Sequence, residues 1–292
     1  MNGVAAAVIS SLLGGTAGAI TRYVIAETDP VTLAAFRFGI GILIILPLAI
    51  AMRVKWPKGR DWLGVGLLGA LFFAVFFVVY NLAMSLTTAA RGSLALSSLP
   101  LVTMLVAALL GRETLTWRKA SGVCVAMIGV GIALGAGLST APAGAWRGDL
   151  VMIGGTLIMA FYSIWSRPFM QRSSLLGFLA AGMGCGALVS TTLSFARGGM
   201  QAAAGGFGAH QWWAVLVLGV FGGAAAFFLW VYALQRTTPT RVTNTMTVNP
   251  LAASLLASLL VGEPLGIELF VGMGAVAIGI WLVSTQAAPT KA

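Results

Sequence analysis

The stretch Ala83–Gly129, AMSLTTAARGSLALSSLPLVTMLVAALLGRETLTWRKASGVCVAMIG, returns 150 positions later as Ala233–Gly279, ALQRTTPTRVTNTMTVNPLAASLLASLLVGEPLGIELFVGMGAVAIG. The two copies align without a gap, and Thr87/Thr237, Thr88/Thr238, Arg91/Arg241, Pro100/Pro250, Glu113/Glu263, Leu115/Leu265, Gly122/Gly272 and Gly129/Gly279 are identical pairs. Apolar stretches share Leu and Ala by chance, but an Arg, a Pro and a Glu in one register are hard to explain that way. The chain reads as an internal duplication. The segments upstream of each copy align too, at an offset of 145, through Arg22/Arg167, Gly39/Gly184 and Gly41/Gly186.

Composition supplies the solvent. The chain is 59% hydrophobic and 8% charged, where a soluble domain carries about 25% charged residues. So little polar surface cannot cover a globule of this length, and the surroundings must be a bilayer. The net charge of +10 does not point to nucleic acid. The basic residues sit between apolar segments, as topology signals do, and no compact basic, aromatic-interleaved domain is present. Cys124 and Cys185 stand alone in apolar segments and read as small packing residues. The first apolar run has no basic n-region or cleavage site and reads as a retained span.

A helix needs about 20 apolar residues to cross the hydrocarbon core. Ten segments fit, at about 3–25, 31–52, 62–85, 90–110, 117–137, 148–169, 174–195, 211–234, 240–261 and 266–285. The connections are short, and only 138–147 and 196–210, rich in Gly and Ala, exceed a tight turn. The expected fold is an all-α integral membrane protein of ten transmembrane helices around a central cavity. It forms a single transmembrane domain over 1–292, with repeat one at 1–137 and repeat two at 148–285.

Loop charges set the orientation. One side carries Arg53, Lys55, Lys58, Arg60, Arg112, Arg118, Lys119, Arg167, Arg172, Arg236, Arg241 and Lys291; the other carries Arg22, Arg91, Arg147 and Arg197. Twelve against four places both termini in the cytoplasm. Each half has five spans, an odd number, so the second copy enters the membrane from the opposite side. Inverted repeats around a midplane site are the recurring architecture of secondary transporters, because two pseudo-equivalent halves can exchange conformations.

The run Arg91…Pro100-Leu101…Gly111-Arg112-Glu113…Leu115…Gly122…Gly129, with its second copy Arg241…Pro250-Leu251…Gly262-Glu263…Leu265…Gly272…Gly279, resembles the EamA-type signature of the drug/metabolite transporter superfamily. Pro30…Ala34-Ala35-Phe36-Arg37-Phe38 resembles that family's second helix. The resemblance covers nearly the whole chain. It implies two inverted five-helix repeats, with helices 1, 3, 4, 6, 8 and 9 lining a path and helices 5 and 10 peripheral. It also implies export or exchange of small metabolites in a bacterial-type inner membrane. The absence of a long extra domain and the aromatic content of spans 3, 6 and 8 resemble the exporters of amino acids, aromatic ones included.

Pro100 and Pro250, halfway along spans 4 and 9, each remove an intrahelical hydrogen bond and kink the helix; they are the gating candidates. Ser93 and Ser97 share the face of Pro100, and Thr243 and Thr247 repeat that face beside Pro250. Serines and threonines alone are accounted for as interhelical contacts worth about 0.6 kcal/mol each. Asn244 and Asn249, central and next to the kink, are stronger substrate-binding candidates. Aromatic walls come from Phe72, Phe73, Phe76, Phe77 and Tyr80, from Phe161, Tyr162 and Trp165, and from Phe227, Phe228, Trp230 and Tyr232. Of these, Tyr80 with Asn81, and Tyr162 with Ser166, join the substrate-binding set. Trp62, Trp117, Trp212, Trp213 and Trp281 read as interfacial anchors.

No Asp, Glu or His falls deep in a span, so the carboxylate or histidine relay of proton-coupled carriers is missing. This favours facilitated diffusion or exchange. Arg37 lies about two turns inside span 2, and the reach of its side chain suggests snorkelling to the outer interface, with binding of a substrate carboxylate as the alternative. Glu113 and Glu263 read as caps or partners of a basic loop residue. No cofactor, metal or catalytic residue is implied, since no GxxxxGK loop or His/Asp/Glu constellation is present. The expected partners are the lipid bilayer and an amino acid or similar small metabolite. A membrane-embedded enzyme acting on lipid-linked substrates, or a non-transporting scaffold, is the competing class.

Overall fold

The computed structural model describes residues 2–111, 116–136 and 141–263, with scattered positions between 265 and 278. Most of the expected tenth span falls outside the described residues. So do Arg112, Glu113, Glu268, Gly272, Gly279, Trp281, Lys291 and the side chain of Thr247.

The described chain is helical without strands. In order run α1 (Gly3–Val24), α2 (Pro30–Ala51), α3 (Asp61–Leu86), α4 (Ala89–Leu109), α5 (Trp117–Ala136), α6 (Ala145–Arg172), α7 (Leu175–Ala196), α8 (Ala209–Arg236) and α9 (Pro239–Val261). Eight of these, all but α5, are long and apolar enough to cross a membrane. The loop expected over 196–210 contains a further two-turn helix, Gly199–Gly206, which its glycine content hid from a propensity reading.

Helix starts are fixed by polar side chains. Val31 N and Thr32 N donate to Asp29 Oδ1 at 2.9 and 3.2 Å, with Pro30 in the first turn, where its missing N–H costs nothing. Thr88 Oγ1 accepts from Arg91 N at 3.2 Å, and Thr238 Oγ1 from Arg241 N at 3.4 Å. The recurring Thr-Thr-x-x-Arg of the duplication is thus an N-cap signal.

Four helices are irregular at matching places. α3 is π-wound over Ala70–Phe76 and α8 over Leu218–Ala225. α4 is interrupted at Ser97–Ser98, and α9 passes through a 3-10 turn at Thr245–Val248. Pro100 and Pro250 sit in the first turn of the segment that restarts after each interruption. The break therefore falls just ahead of the proline, which sits where no N–H is required.

The helices alternate in direction between two ends. At one end the start of α3 meets the end of α6 through Asp61 and Arg172, 2.8 Å apart, and Ser174 Oγ donates to Lys55 O at 3.0 Å. At the other, Arg22 Nε faces Glu263 Oε1 at 3.8 Å, and Thr87 Oγ1 donates to Asp149 Oδ1 at 2.9 Å. α2 packs along α7 and on the π-wound part of α8, while α7 packs on α3. α1 lies along α8 and α9, α6 along α3 and α4, and α5 leans on α4. Backbones touch where side chains are missing. A Cβ on Gly15 would collide with Asn249 O of α9, and one on Gly69 with the backbone of Gly182 in α7. The outer face is apolar: Leu43, Leu109 and Leu259 are 72%, 86% and 83% exposed, a surface that lipid would cover.

Candidate functional site

Midway along the bundle, α1, α2, α3, α4, α6, α8 and α9 line a cavity of about 30 Å³, room for about two waters. α1 contributes Ser10 and Gly14, α2 Arg37, and α3 Phe76, Phe77 and Tyr80. Leu96 comes from α4, Met159 from α6, Phe227 and Trp230 from α8, and Met246 and Asn249 from α9. The irregular stretches of α3, α4, α8 and α9 all end on or next to this lining. Regular helices would hold their carbonyls in place; interruptions free them for other partners.

Two such contacts come from α1. Ser10 Oγ donates to Ala226 O, directly after the π-wound stretch of α8, at 2.7 Å. Ser11 Oγ and Thr245 Oγ1 are 2.8 Å apart, joining α1 to the 3-10 turn of α9. These two serines were legible only as small polar residues in an apolar helix.

Arg37 is the charge in the cavity wall. Its Nε and Nη2 donate to Gly222 O at 3.2 and 2.8 Å, and its guanidinium carbon stands 4.5 Å from the Phe77 ring centre and 6.0 Å from those of Tyr80 and Phe227. The side chain is 3% exposed. The expected snorkelling to the interface does not occur, because the side chain turns inward onto α8, where a carbonyl and aromatic faces hold it. Nη1 has no hydrogen-bond partner in the protein. The Tyr80 hydroxyl is a hydrogen-bond and electrostatic partner of the guanidinium, though not of Nη1. Among the described residues no carboxylate pairs with Arg37.

The sequence-derived candidates divide. Tyr80 and Asn249 line the cavity. The Tyr80 hydroxyl and Ser93 Oγ both face Gly18 of α1, and the Asn249 amide faces Gly14; Asn249 Oδ1 is buried without a partner. Ser97 Oγ instead donates to Ser93 O at 3.1 Å and Thr243 Oγ1 to Thr240 O at 3.2 Å, both within their own helices. Asn81 is drawn away from the cavity, its Nδ2 donating to Pro30 O at 2.9 Å. Tyr162 stacks on Phe72 with ring centres 4.1 Å apart, in a block of rings with Phe38, Phe73 and Phe178. Its hydroxyl and Ser166 Oγ are buried and unpartnered, and neither residue lines the cavity. Asn244 is buried in the first part of α9. Glu263 does cap and pair: Ala89 N donates to both of its oxygens at 3.1 Å, and Arg22 stands beside it. Trp62, Trp117, Trp212 and Trp213 are exposed near helix ends, as anchors would be.

Each end of the bundle is recessed. A pocket of about 500 Å³ at the Arg22–Glu263 end is lined by Tyr23, Glu27, Thr88 and Gly262. One of about 410 Å³ at the opposite end is lined by Arg167, Gln171, Gln235 and Arg236. Among the described residues no three His, Cys, Asp or Glu side chains gather into a metal-binding group.

Comparison with known proteins places this arrangement. The model of the EamA-like transporter family matches residues 1–135 and 146–285. An uncharacterized transporter of Archaeoglobus fulgidus is 23% identical over 92% of this chain and 94% of its own length. The uncharacterized inner membrane transporter YedA of Escherichia coli K12 is 25% identical over 94% of this chain and 87% of its own. A protein of Streptantibioticus cattleyicolor named a probable terminal-alkyne amino-acid exporter is 26% identical over 74% of this chain and 72% of its own. A solved crystal structure superposes with a TM-score of 0.73 over 96% of each chain at 21% identity, a likeness of fold.

Proposed function

The chain belongs to the EamA-like transporter family, and from that membership we propose that it is a secondary carrier exporting amino acids, aromatic ones among them, or similar small metabolites across the inner membrane. It works by alternating access without ATP. Its relatives are transporters, not enzymes. The observation that carries the reading is the central cavity, where unpartnered polar atoms of Arg37, Trp230 and Asn249 stand among aromatic rings. Hydrocarbon-facing helices do not leave such groups unsatisfied without a reason.

The proposed architecture is a single transmembrane domain over 1–292. It has ten helices in two inverted five-helix repeats, 1–137 and 148–285, and both termini are cytoplasmic. Support comes from the matched irregularities of α3 with α8 and α4 with α9, and from helix pairings that repeat when the halves are exchanged. The start of α1 beside the end of α8, and the start of α6 beside the end of α3, fit the same exchange. The distribution of Lys and Arg supports the orientation.

Tyr80, Ser93 and Asn249 are the proposed inner contacts. Ser97, Tyr162, Ser166, Thr243, Asn244 and Thr247 remain in the proposed set as groups that a wider, cargo-bearing conformation would reach, while Asn81, bonded to Pro30 O, is proposed as a tie between α2 and α3. Pro100 and Pro250 mark the segments that reorient. A cavity of about 30 Å³ is far below the roughly 300 Å³ of a small-molecule pocket. A pinched centre between a recess at each end suits a closed stage of the cycle.

The test is a panel of amino acids and small metabolites in proteoliposomes containing the full chain alone, with and without a pH gradient. Saturable, bidirectional flux that does not require the gradient is expected. No flux across the panel removes the carrier reading.

A further inference from the structure

We propose that Arg37 is the anchor for a carboxylate of the cargo, so that the class carried is carboxylate-bearing, organic acids and amino-acid zwitterions, and excludes amines and amides. This rests on the carrier reading above and specifies its substrate.

An arginine stays charged in a protein, and a buried charge is retained where a partner or a function requires it. Arg37 has a carbonyl, ring faces and the Tyr80 hydroxyl, which orient the guanidinium but do not neutralise it. The seat is built for it. Gly222 O comes from the π-wound stretch of α8, and a Cβ on Gly222 would lie 3.3 Å from Arg37 Nη2, while one on Gly223 would lie 2.7 Å from Arg37 O. Gly222 equally admits α1, since the added carbon would lie 2.7 Å from Ala17 Cβ, so the bare α8 backbone accommodates both α1 and the guanidinium. Nη1 is left over, a donor without an acceptor, on the wall of the cavity.

The duplication supplies a control. At the offset of 145 that aligns Gly39 with Gly184 and Gly41 with Gly186, the counterpart of Arg37 is Gly182. There α7 crosses α3 with Gly182 against Gly69. The same crossing is thus packed in the other half without a charge, the Phe73 ring of α3 standing 3.8 Å from where a Gly182 Cβ would lie. Helix packing does not call for an arginine at this position, and a charge that breaks the symmetry of the halves is there for something that binds one side of the cavity.

The remaining lining fits the same ligand. Trp230 Nε1 is a second unpartnered donor, and Asn249 Oδ1 an unpartnered acceptor. A carboxylate takes the donors, and an ammonium, where the cargo has one, takes the amide oxygen. Phe76, Phe77, Phe227, Met159 and Met246 leave the rest of the cargo an apolar surround. A cationic amine would meet Arg37 with no carboxylate nearby to offset the repulsion.

The experiment measures ligand-induced thermal stabilisation of the purified full chain in detergent. The probes are the twenty amino acids and simple mono- and dicarboxylates, each binder compared with its amide and its decarboxylated amine; phenylalanine, phenylalaninamide, phenethylamine and 3-phenylpropionate are the worked set. Stabilisation by acids and zwitterions is expected, and none by amide or amine. Arg37→Gln should weaken binding of the acid by about 100-fold, in line with loss of a charge-assisted bond, and Arg37→Lys by less. Equal binding of the amide or amine, unchanged acid affinity in Arg37→Gln, or no carboxylate binding at all overturns the proposal. The wild-type ligand series decides even where Arg37→Gln does not fold. Parallel flux measurements separate the two readings: selective carboxylate binding without flux removes the carrier and keeps the anchor, whereas equal flux of amines keeps the carrier and removes the anchor.

Discussion

Arg91 Nη2 and Asp149 Oδ2 are 2.5 Å apart, and both side chains are less than a tenth exposed. The pair joins the start of α4 to the start of α6, and Thr87 Oγ1 occupies the second carboxylate oxygen. Removing one member of a buried ion pair strands the other and costs about 3–5 kcal/mol, while replacing both with apolar side chains is close to neutral. Asp149→Ala is therefore expected to lower the unfolding midpoint in detergent sharply, and Arg91→Met with Asp149→Leu to recover most of the loss. Equal destabilisation by the single and double changes would show that the pair is not what holds these ends.

A few residues away, Glu263 closes the same end from the other half. Its carboxylate accepts from Ala89 N at 3.1 Å and Ala90 N at 3.5 Å, the first unsatisfied donors of α4, with Arg22 Nε at 3.8 Å. A charged acceptor of this kind contributes about 1.5–3 kcal/mol, part of it from the helix dipole. Glu263→Ala should cost that much in a chemical denaturation curve. Glu263→Gln, which keeps an acceptor but not the charge, should cost less than half as much. The reverse order of the two variants would refute the capping account.

Local chemistry made the helix starts legible. Thr88 and Thr238 cap through atoms three residues away, and Pro100 and Pro250 mark restarts because a proline lacks one donor; both signals survive in any tertiary setting. Arg37 was not legible in the same way. α2 is apolar on all sides, so its sequence has no polar stripe from which to read a buried face, and the reach of an arginine is the same in either direction. The Asn81 bond was hidden for a related reason: the carbonyl it meets, Pro30 O, lies 51 residues away, and no spacing rule announces it. The aromatic content of α3 foretold a cluster, but which rings line the cavity and which are core depends on how α6 and α8 pack against them.

Gly15 lies where α1 meets α9. A Cβ there would strike Asn249 O and stand 2.8 Å from the Ala252 side chain. Backbone cannot step aside as a flexible side chain can, so overpacking of about 1–3 kcal/mol is expected for Gly15→Ala, together with slower flux as α9 is pushed off α1. Gly154 on α6 has nothing within 4 Å of the same added carbon. Gly154→Ala should be neutral or stabilising by up to about 1 kcal/mol through helix propensity. Paired thermal melts of the two variants check the contrast, and matching losses would show that the α1–α9 contact is not as close as described.

Asn249 and Asn81 are both buried amides with an unpartnered Oδ1, but only Asn249 lines the cavity while Asn81 Nδ2 ties α3 to α2, and this separates a proposed cargo contact from a structural one. Asn81 Nδ2 holds Pro30 O at 2.9 Å, so Asn81→Ala should cost about 1 kcal/mol of stability and leave the apparent KM for transport unchanged. Asn249 Oδ1 has no partner to lose and lines the cavity. Asn249→Ala should leave the melting curve nearly where it was while raising the KM of a zwitterionic cargo about tenfold or more, the value of one acceptor to a charged ammonium. For a simple carboxylate, which has no ammonium to place, the same variant should change KM little. Both quantities come from one set of proteoliposome flux curves run with an amino acid and its deaminated analogue. An Asn249 variant that loses stability but not affinity would assign this amide to the scaffold and move the cargo's ammonium elsewhere in the cavity.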